Sequence, residues 1–329
     1  MNEMIFRVLR LTTNNIKLKE VFDYDSSEKE QLERCPGCSG KKDENFRNFG
    51  YIDRYGFQAD TSWCNRCGLI FINPRMTLEA YNEFYQSGTY RNIISIYSTK
   101  ESGKKKARAK EDTIPNRLKP ITDVFPEYFG NKKLTILDVG GTREIFEYLN
   151  KYLDISKYLC INPSVKEIRP QENSDFGFYH GTVEEFDSTG EKYDLICLFG
   201  TLNHLMEPRI VFNKIGTLLK EDGVFAFDHV NRVCKMERAA HPLRQIQIDH
   251  PICLDTTTVK WLLNQAGMGV LRVYSPEPCV DFILAGKVVD KKFAGVDPAV
   301  FDKIEKLSRR MRSVPPKLLI KRVMRRLRA

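Results

Sequence analysis

The chain has 329 residues, of which 42% are hydrophobic and 29% charged; that is enough apolar material for one large domain and a small one, and it excludes fibrous, collagen-like and wholly disordered classes. No apolar run approaches the ~20 residues of a membrane-spanning helix, and the first residues lack the apolar core and cleavage site of a signal peptide. The formal net charge of +9 is local: ten Lys/Arg and no Asp/Glu lie between Lys306 and Ala329, and the rest of the chain carries 42 basic against 43 acidic side chains, which excludes a basic cleft around an active site.

Residues 1–30 read as an extension with a short apolar start (Met4, Ile5, Phe6, Val8, Leu9) and no motif. Residues 31–97 read as a zinc ribbon and a following helix. Cys35-Pro36-Gly37-Cys38 and Cys64-Asn65-Arg66-Cys67 are separated by 25 residues; each C-x-x-C turn aims two sulfurs at one point, and two turns complete the four-thiolate shell that Zn²⁺ prefers. With four protein ligands the ion is structural. The Gly-, Asn- and Tyr-rich surroundings suggest small hairpins around a metal rather than an apolar core, and Leu78, Tyr81, Phe84 and Tyr85 recur at helical spacing. Nine cysteines, an odd number, suit a reducing compartment, so a cytoplasmic protein is expected. Cys160, Cys197, Cys234, Cys253 and Cys279 read as core filler.

Residues 98–114, with Lys104, Lys105, Lys106, Arg108 and Lys110, read as a linker or the solvated start of a helix. Between 115 and 290 strand-like and helix-like stretches alternate. Apolar runs at 133–139, 157–161, 193–198 and 224–227 predict buried parallel strands, and amphipathic stretches at 143–153, 208–220 and 256–266 predict the helices between them. Val270 to Tyr274 and Val280 to Val288 predict an antiparallel hairpin across Ser275-Pro276-Glu277-Pro278. An α/β fold follows, a parallel sheet with an antiparallel terminal hairpin. Ligands of such sheets bind at the carboxyl ends of the strands. Those ends carry Asp138-Val139-Gly140-Gly141-Thr142, Cys160-Ile161-Asn162-Pro163-Ser164, His180-Gly181-Thr182 and Phe199-Gly200-Thr201-Leu202-Asn203-His204.

Residues 291–329 form a basic tail. A helix is predicted over 297–312, Pro315-Pro316 breaks it, and in the last stretch Leu319, Ile320, Val323, Met324 and Leu327 fall on one arc with Lys317, Lys321, Arg322, Arg325, Arg326 and Arg328 opposite. This is the pattern of a helix lying on an anionic membrane surface, here the inner face. The neutral body argues against nucleic-acid binding.

The order of strand-end motifs resembles the class I S-adenosylmethionine-dependent methyltransferases, whose sheet is Rossmann-like. The cysteine pairs with Gly68-Leu69-Ile70-Phe71-Ile72-Asn73-Pro74-Arg75, Asp53-Arg54-Tyr55-Gly56, Phe84-Tyr85 and Asp249-His250-Pro251 resemble the zinc-ribbon subgroup common among bacterial polysaccharide and secondary-metabolite enzymes. The resemblance spans about residues 35 to 288. It implies S-adenosylmethionine held by Asp138, Gly140, Gly141 and Thr142 on the methionine and ribose side, Asn162 at the ribose hydroxyls, Thr182 at the adenine edge, and Phe199, Gly200 and Thr201 on the inner wall. Two departures stand out: Arg143 occupies the place of a third glycine, and Asn162 that of an acid. Methyl transfer to a hydroxyl needs a base or substrate ligand, for which His204, His250 and His229 are the candidates. The expected substrate is a sugar hydroxyl, or a carbon, of a nucleotide- or lipid-linked saccharide. The rivals are an RNA-modifying methyltransferase and a non-catalytic binding protein.

Overall fold

The computed structural model describes Leu18 and residues 20–99, 118–119, 122–163, 176–288 and 295–312. Residues 1–17 of the extension, residues 100–114 of the predicted linker, Ser164 and the last basic helix lie outside them; the first two linker positions end the helix Thr89–Thr99. Two compact units emerge, and neither is continuous along the chain. One is built from the described residues of Met1–Lys100, Arg232–Asp255 and Asp297–Ala329, the other from those of Glu101–Asn231 and Thr256–Val296.

The second unit is a sheet of seven strands, β1 (Leu134–Val139), β2 (Ile155–Asn162), β3 (Phe176–His180), β4 (Tyr193–Leu198), β5 (Leu219–Val230), β6 (Gly269–Glu277) and β7 (Val280–Gly286), with helices α1 (Arg143–Leu149), α2 (Pro208–Leu218) and α3 (Thr256–Gln265). The strand order is β6-β7-β5-β4-β1-β2-β3. All pairs are parallel except β5–β7 and β6–β7. This is the predicted α/β architecture, a Rossmann-like sheet with an antiparallel terminal hairpin. The runs in β1 and β4 are apolar almost throughout because such strands are covered on both faces; Leu134, Ile136, Leu137, Leu195, Ile196 and Leu198 have no exposed surface. Pro208 starts α2 with its fixed φ, and Val211, Phe212, Ile215 and Leu218 bury one stripe of it. Strand β5 runs eight residues longer at its two ends together than the apolar run 224–227 suggests: at its start Leu219 pairs with Tyr193 of β4, and at its end the pairing with β7 carries through Asp228 and His229 to Val230. The hairpin turn is correspondingly tighter, with Pro276 and Glu277 inside β6.

Strands β2 and β3 lie on one side of β1, and β4 on the other. The order therefore reverses between β1 and β4, and it is outside the carboxyl ends of such neighbouring strands that open α/β sheets bind ligands.

The first unit contains an antiparallel four-stranded sheet in the order Ile252–Cys253, Ile70–Ile72, Thr61–Cys64, Phe46–Gly50, and a short pair, Lys29–Glu30 with Arg75–Met76. Helix Leu78–Gln86 is capped by Thr77, whose side chain accepts the Ala80 N–H. Helix Ala299–Arg312 buries Val300, Ile304, Leu307 and Met311 and is tied to the sheet by Ser308, whose hydroxyl donates to the Asn48 carbonyl at 3.0 Å. Contrary to the sequence expectation, this unit has an apolar core of its own: Phe49, Phe57, Leu69 and Ile70 are fully buried, and Phe22, Tyr24, Phe57 and Phe84 form a ring cluster. Its members come from separated segments, so no single stretch of sequence displays it. Cys160, Cys197 and Cys253 are core residues; Cys234 and Cys279 are not, being half-buried at a helix and at the hairpin turn.

Candidate functional site

In the first unit the cysteine pairs meet. Cys35 Sγ lies 3.6 Å from Cys67 Sγ, Cys38 Sγ lies 3.6 Å from Cys64 Sγ, and all four sulfurs are within 4.8 Å of one another and buried. A tetrahedral ion with metal–sulfur bonds of ~2.3 Å sets sulfurs about 3.8 Å apart, so the cluster fits such an ion. Hydrogen bonds from its three neighbours hold the Cys64 thiol far below the usual range, while those neighbours push Cys67 well above it and burial does the same to Cys35. Without a cation the cluster cannot hold four thiolates.

In the second unit β1 delivers Asp138 to the switch point. Its Cα pairs with Cys160 of β2 on one side and Cys197 of β4 on the other. The carboxyl is completely buried: Oδ2 accepts a hydrogen bond from the Tyr158 hydroxyl, whereas Oδ1 has no partner among the described residues. Burial pushes its pKa up to about 7, against the pull of the Tyr158 hydroxyl. The glycines that follow are fixed by space. Gly140 has φ +72°, and a Cβ there would stand 2.2 Å from Thr201 Oγ1; at Gly141 it would stand 1.8 Å from Asp138 Oδ2. The turn after β1 thus meets Thr201 after β4 and lies directly on Asp138. Asn162, at the end of β2, donates from Nδ2 to the Gly141 carbonyl at 2.8 Å, and Asp228 Oδ1 accepts the Gly200 N–H at 2.6 Å. The structure therefore gathers Asp138, Gly140, Gly141, Asn162, Gly200 and Thr201. Thr182, at the end of β3, binds Glu185 with both its N–H and its hydroxyl. Thr142 is the residue preceding α1, and Arg143 is that helix's first residue, paired with Glu147 at 2.9 Å. A buried acceptor with no partner, beside a backbone turn that admits no side chain, fits an amino-group donor of a ligand.

Residues 111–273 match the family model described as a methyltransferase domain. The chain carries a methyltransferase domain. Among solved structures it is similar to an S-adenosylmethionine-dependent methyltransferase from Mesorhizobium loti (14% identity, 51% of this chain and 96% of that one, TM-score 0.43). It is also similar to the 1,6-didemethyltoxoflavin-N1-methyltransferase of Burkholderia thailandensis (14%, 66% and 93%, TM-score 0.44) and to an S-adenosylmethionine-dependent methyltransferase from Clostridium acetobutylicum (12%, 60% and 98%, TM-score 0.42). No curated protein matches it. The protein is a methyltransferase enzyme.

The three histidines singled out in this methyltransferase occupy different settings. His204 ends a single helical turn, Leu202–His204, directly after Thr201, and is half-buried. His229 lies inside β5 rather than in a loop after it, opposite Asp281 of β7 and without exposed surface. His250 belongs to the first unit. Its Nδ1 is 2.7 Å from Gln247 Nε2 and 2.9 Å from Arg232 Nη2, both donors, so Nδ1 accepts; Nε2 lies 3.4 Å from Arg232 Nη2 and 3.7 Å from Asp249 Oδ2. Burial raises Asp249 to about 6. Tyr81 and Tyr85 donate to the Asp249 carbonyl at 2.8 and 3.2 Å. Asp53 accepts the N–H groups of Tyr55, Phe57 and Ile248 at 2.9 to 3.1 Å, tying its loop to the His250 segment. The sequence does not mark Arg232, Gln247 or Tyr158: Arg232 and Gln247 are ordinary polar residues just outside the quoted motifs, and Tyr158 sits inside a strand where nothing marks it as polar in role.

Proposed function

We propose that this methyltransferase acts on a sugar, at a hydroxyl or less readily at a carbon, with the sugar carried on a nucleotide or a lipid. S-adenosylmethionine supplies the activated methyl group. The observation that supports its place is the unpartnered Asp138 Oδ1 beneath the Gly140-Gly141 turn. Asp138 would receive the amino group of the methionine part, Asn162 and Thr142 would border the ribose, Thr182 the adenine, and Phe199 to Thr201 the inner wall. Proximity and alignment of acceptor and methyl group supply most of the rate. His204 or His250 takes the proton of a sugar hydroxyl; His229, buried in a strand, is the weakest of the three. Nδ1 of His250 is held by Gln247 and Arg232, so His204, directly after Thr201 in the unit that carries the cofactor motifs, is the better base.

Cys35, Cys38, Cys64 and Cys67 would hold one structural Zn²⁺, the tight sulfur cluster being the support. Among the described residues no helix is long and apolar enough to cross a membrane. The tail beyond Arg312 would bind an anionic membrane surface through its basic arc, at ~1 kcal/mol per cation near the surface. The saccharide reading is supported by the residues resembling the zinc-ribbon subgroup and by this tail.

The test is calorimetric titration with S-adenosylhomocysteine, followed by transfer of labelled methyl groups to a panel of nucleotide-linked sugars. Micromolar binding and labelling of one sugar are expected; labelling of RNA alone would replace the saccharide. Truncation after Arg312 should abolish salt-sensitive sedimentation with anionic vesicles and leave activity on soluble sugar unchanged.

A further inference from the structure

We propose that Tyr158 is a positioning residue of the cofactor site: its hydroxyl locks one carboxylate oxygen of Asp138 and leaves the other as the acceptor for the amino group of the cofactor's methionine part. The inference rests on the cofactor placement given above. A carboxylate between two strands could rotate its oxygens or turn them toward its own backbone. Here Oδ2 is pinned by the Tyr158 hydroxyl, and it is this pinned oxygen that a Cβ at Gly141 would strike. The pin thus fixes both the carboxyl plane and the seat of the glycine turn. Tyr158 itself cannot drift. It has no exposed surface, its ring stacks at 19° on Phe176 and meets Phe146 edge-on, and its Cα is paired with Ile136, two residues before Asp138.

The hydroxyl also acts on charge. An O–H donor favours the ionised carboxylate, opposing the burial that lifts Asp138 to about 7. The other titratable groups facing Asp138 are the thiols of Cys160 on β2 and Cys197 on β4, both pushed up by burial and by Asp138, and so neutral. On α1 the charged residues are Arg143, half-buried, and Glu144 and Glu147, both exposed. None of these supplies a cation to Asp138 among the described contacts. The Tyr158 hydroxyl is what keeps the acceptor ionised near neutrality, and a cationic amino group needs that ionised form.

Binding of S-adenosylhomocysteine by the parent, Tyr158→Phe and Asp138→Asn, measured from about pH 6 to 8, tests this. Parent affinity should rise about tenfold as Asp138 ionises. In Tyr158→Phe the rise should move upward by about one pH unit or more, leaving the variant several-fold weaker near pH 8, and Asp138→Asn should show no rise. Should Tyr158→Phe fail to fold, 3-fluorotyrosine incorporated at position 158, a stronger donor, should move the rise to lower pH. A Tyr158→Phe or fluorotyrosine profile superimposable on the parent's overturns the inference while the cofactor placement stands. A parent that binds no S-adenosylhomocysteine at any pH overturns the placement itself.

Discussion

The cysteine cluster of one unit and the Asp138 turn of the other handle buried polar groups in opposite ways. Around the cluster, four thiols from two turns face one another and nothing else is needed to complete a tetrahedral shell. At the turn, one carboxylate oxygen is pinned by Tyr158 and the other is left without a partner. On the proposed function, a site for a resident ion brings all its ligands, and a site that exchanges a ligand every turnover keeps an acceptor unsatisfied until the ligand arrives. The cost of that acceptor falls on the folded protein, and binding returns it.

The largest effect should come from removing a member of the closed shell. Cys64→Ser, or chelation of the parent, should unfold the ribbon, since in so small a module the metal-binding energy of ~10 kcal/mol or more is folding energy. Metal analysis should give one zinc per parent chain, and hydrogen exchange should show protection lost around residues 35–72 in the variant, while S-adenosylhomocysteine binding at Asp138 persists. Loss of binding at both sites together would erase the contrast.

Next come the histidines, which test whether the open site is also the reacting one. Replacing the base by Gln should lower kcat about 10²- to 10⁴-fold with the S-adenosylhomocysteine affinity unchanged, and His204→Gln is expected to be the larger of the two against His250→Gln. Equal and small effects of both would remove general base catalysis from the scheme.

How much of this was legible in the chain follows the same contrast. The cysteine spacing names outright the four thiols that meet, because paired cysteines at this spacing have few other reasons to occur. The β1 turn was legible in its glycines and acid, since the backbone there must meet Thr201 and Asp138 with no Cβ between. Tyr158 was not, because a tyrosine in an apolar run looks like core until its hydroxyl is seen on Asp138. His229 looked like a loop residue because the apolar run stops at Phe227, whereas the β5–β7 ladder continues to Val230. The core of the first unit was hidden for a different reason: Phe22, Phe57, Phe84 and the described residues of the returning segments, Arg232–Asp255 and Asp297–Arg312, come together only through long-range contacts.

A third, smaller effect separates shape from charge at the open site. Gly141→Ala keeps every ionisable group but puts a methyl against Asp138 Oδ2. The carboxyl must leave its hydrogen bond or the turn must lift. S-adenosylhomocysteine affinity should fall about 100-fold in calorimetry at constant pH, with the far-ultraviolet spectrum of the parent. An affinity within threefold of the parent would mean that the turn is not the binding surface.

The smallest expected effect measures the cost of the unsatisfied acceptor directly, by comparing Asp138 with Asp53. Both carboxyls are fully buried, and burial raises both, Asp138 to about 7 and Asp53 to about 8. A folded-state pKa above the unfolded value means that the folded protein holds the extra proton, so stability from this source is complete below the unfolded value near 4 and is lost as pH rises through the folded pKa. Asn does not titrate. The stability gap between Asp138→Asn and the parent should therefore be small near pH 5 and open above about pH 7, with the variant more stable by about 1–2 kcal/mol at pH 8.5, because a buried charge with an unpaired oxygen has been removed. Asp53 accepts three backbone N–H groups, and Asn would turn an amide N–H toward one of them. Asp53→Asn should lose about 1–3 kcal/mol at every pH. Urea unfolding at the two pH values resolves both differences, and a destabilised Asp138→Asn at pH 8.5 would show that Oδ1 is satisfied in solution and that the turn is as closed as the cysteine shell.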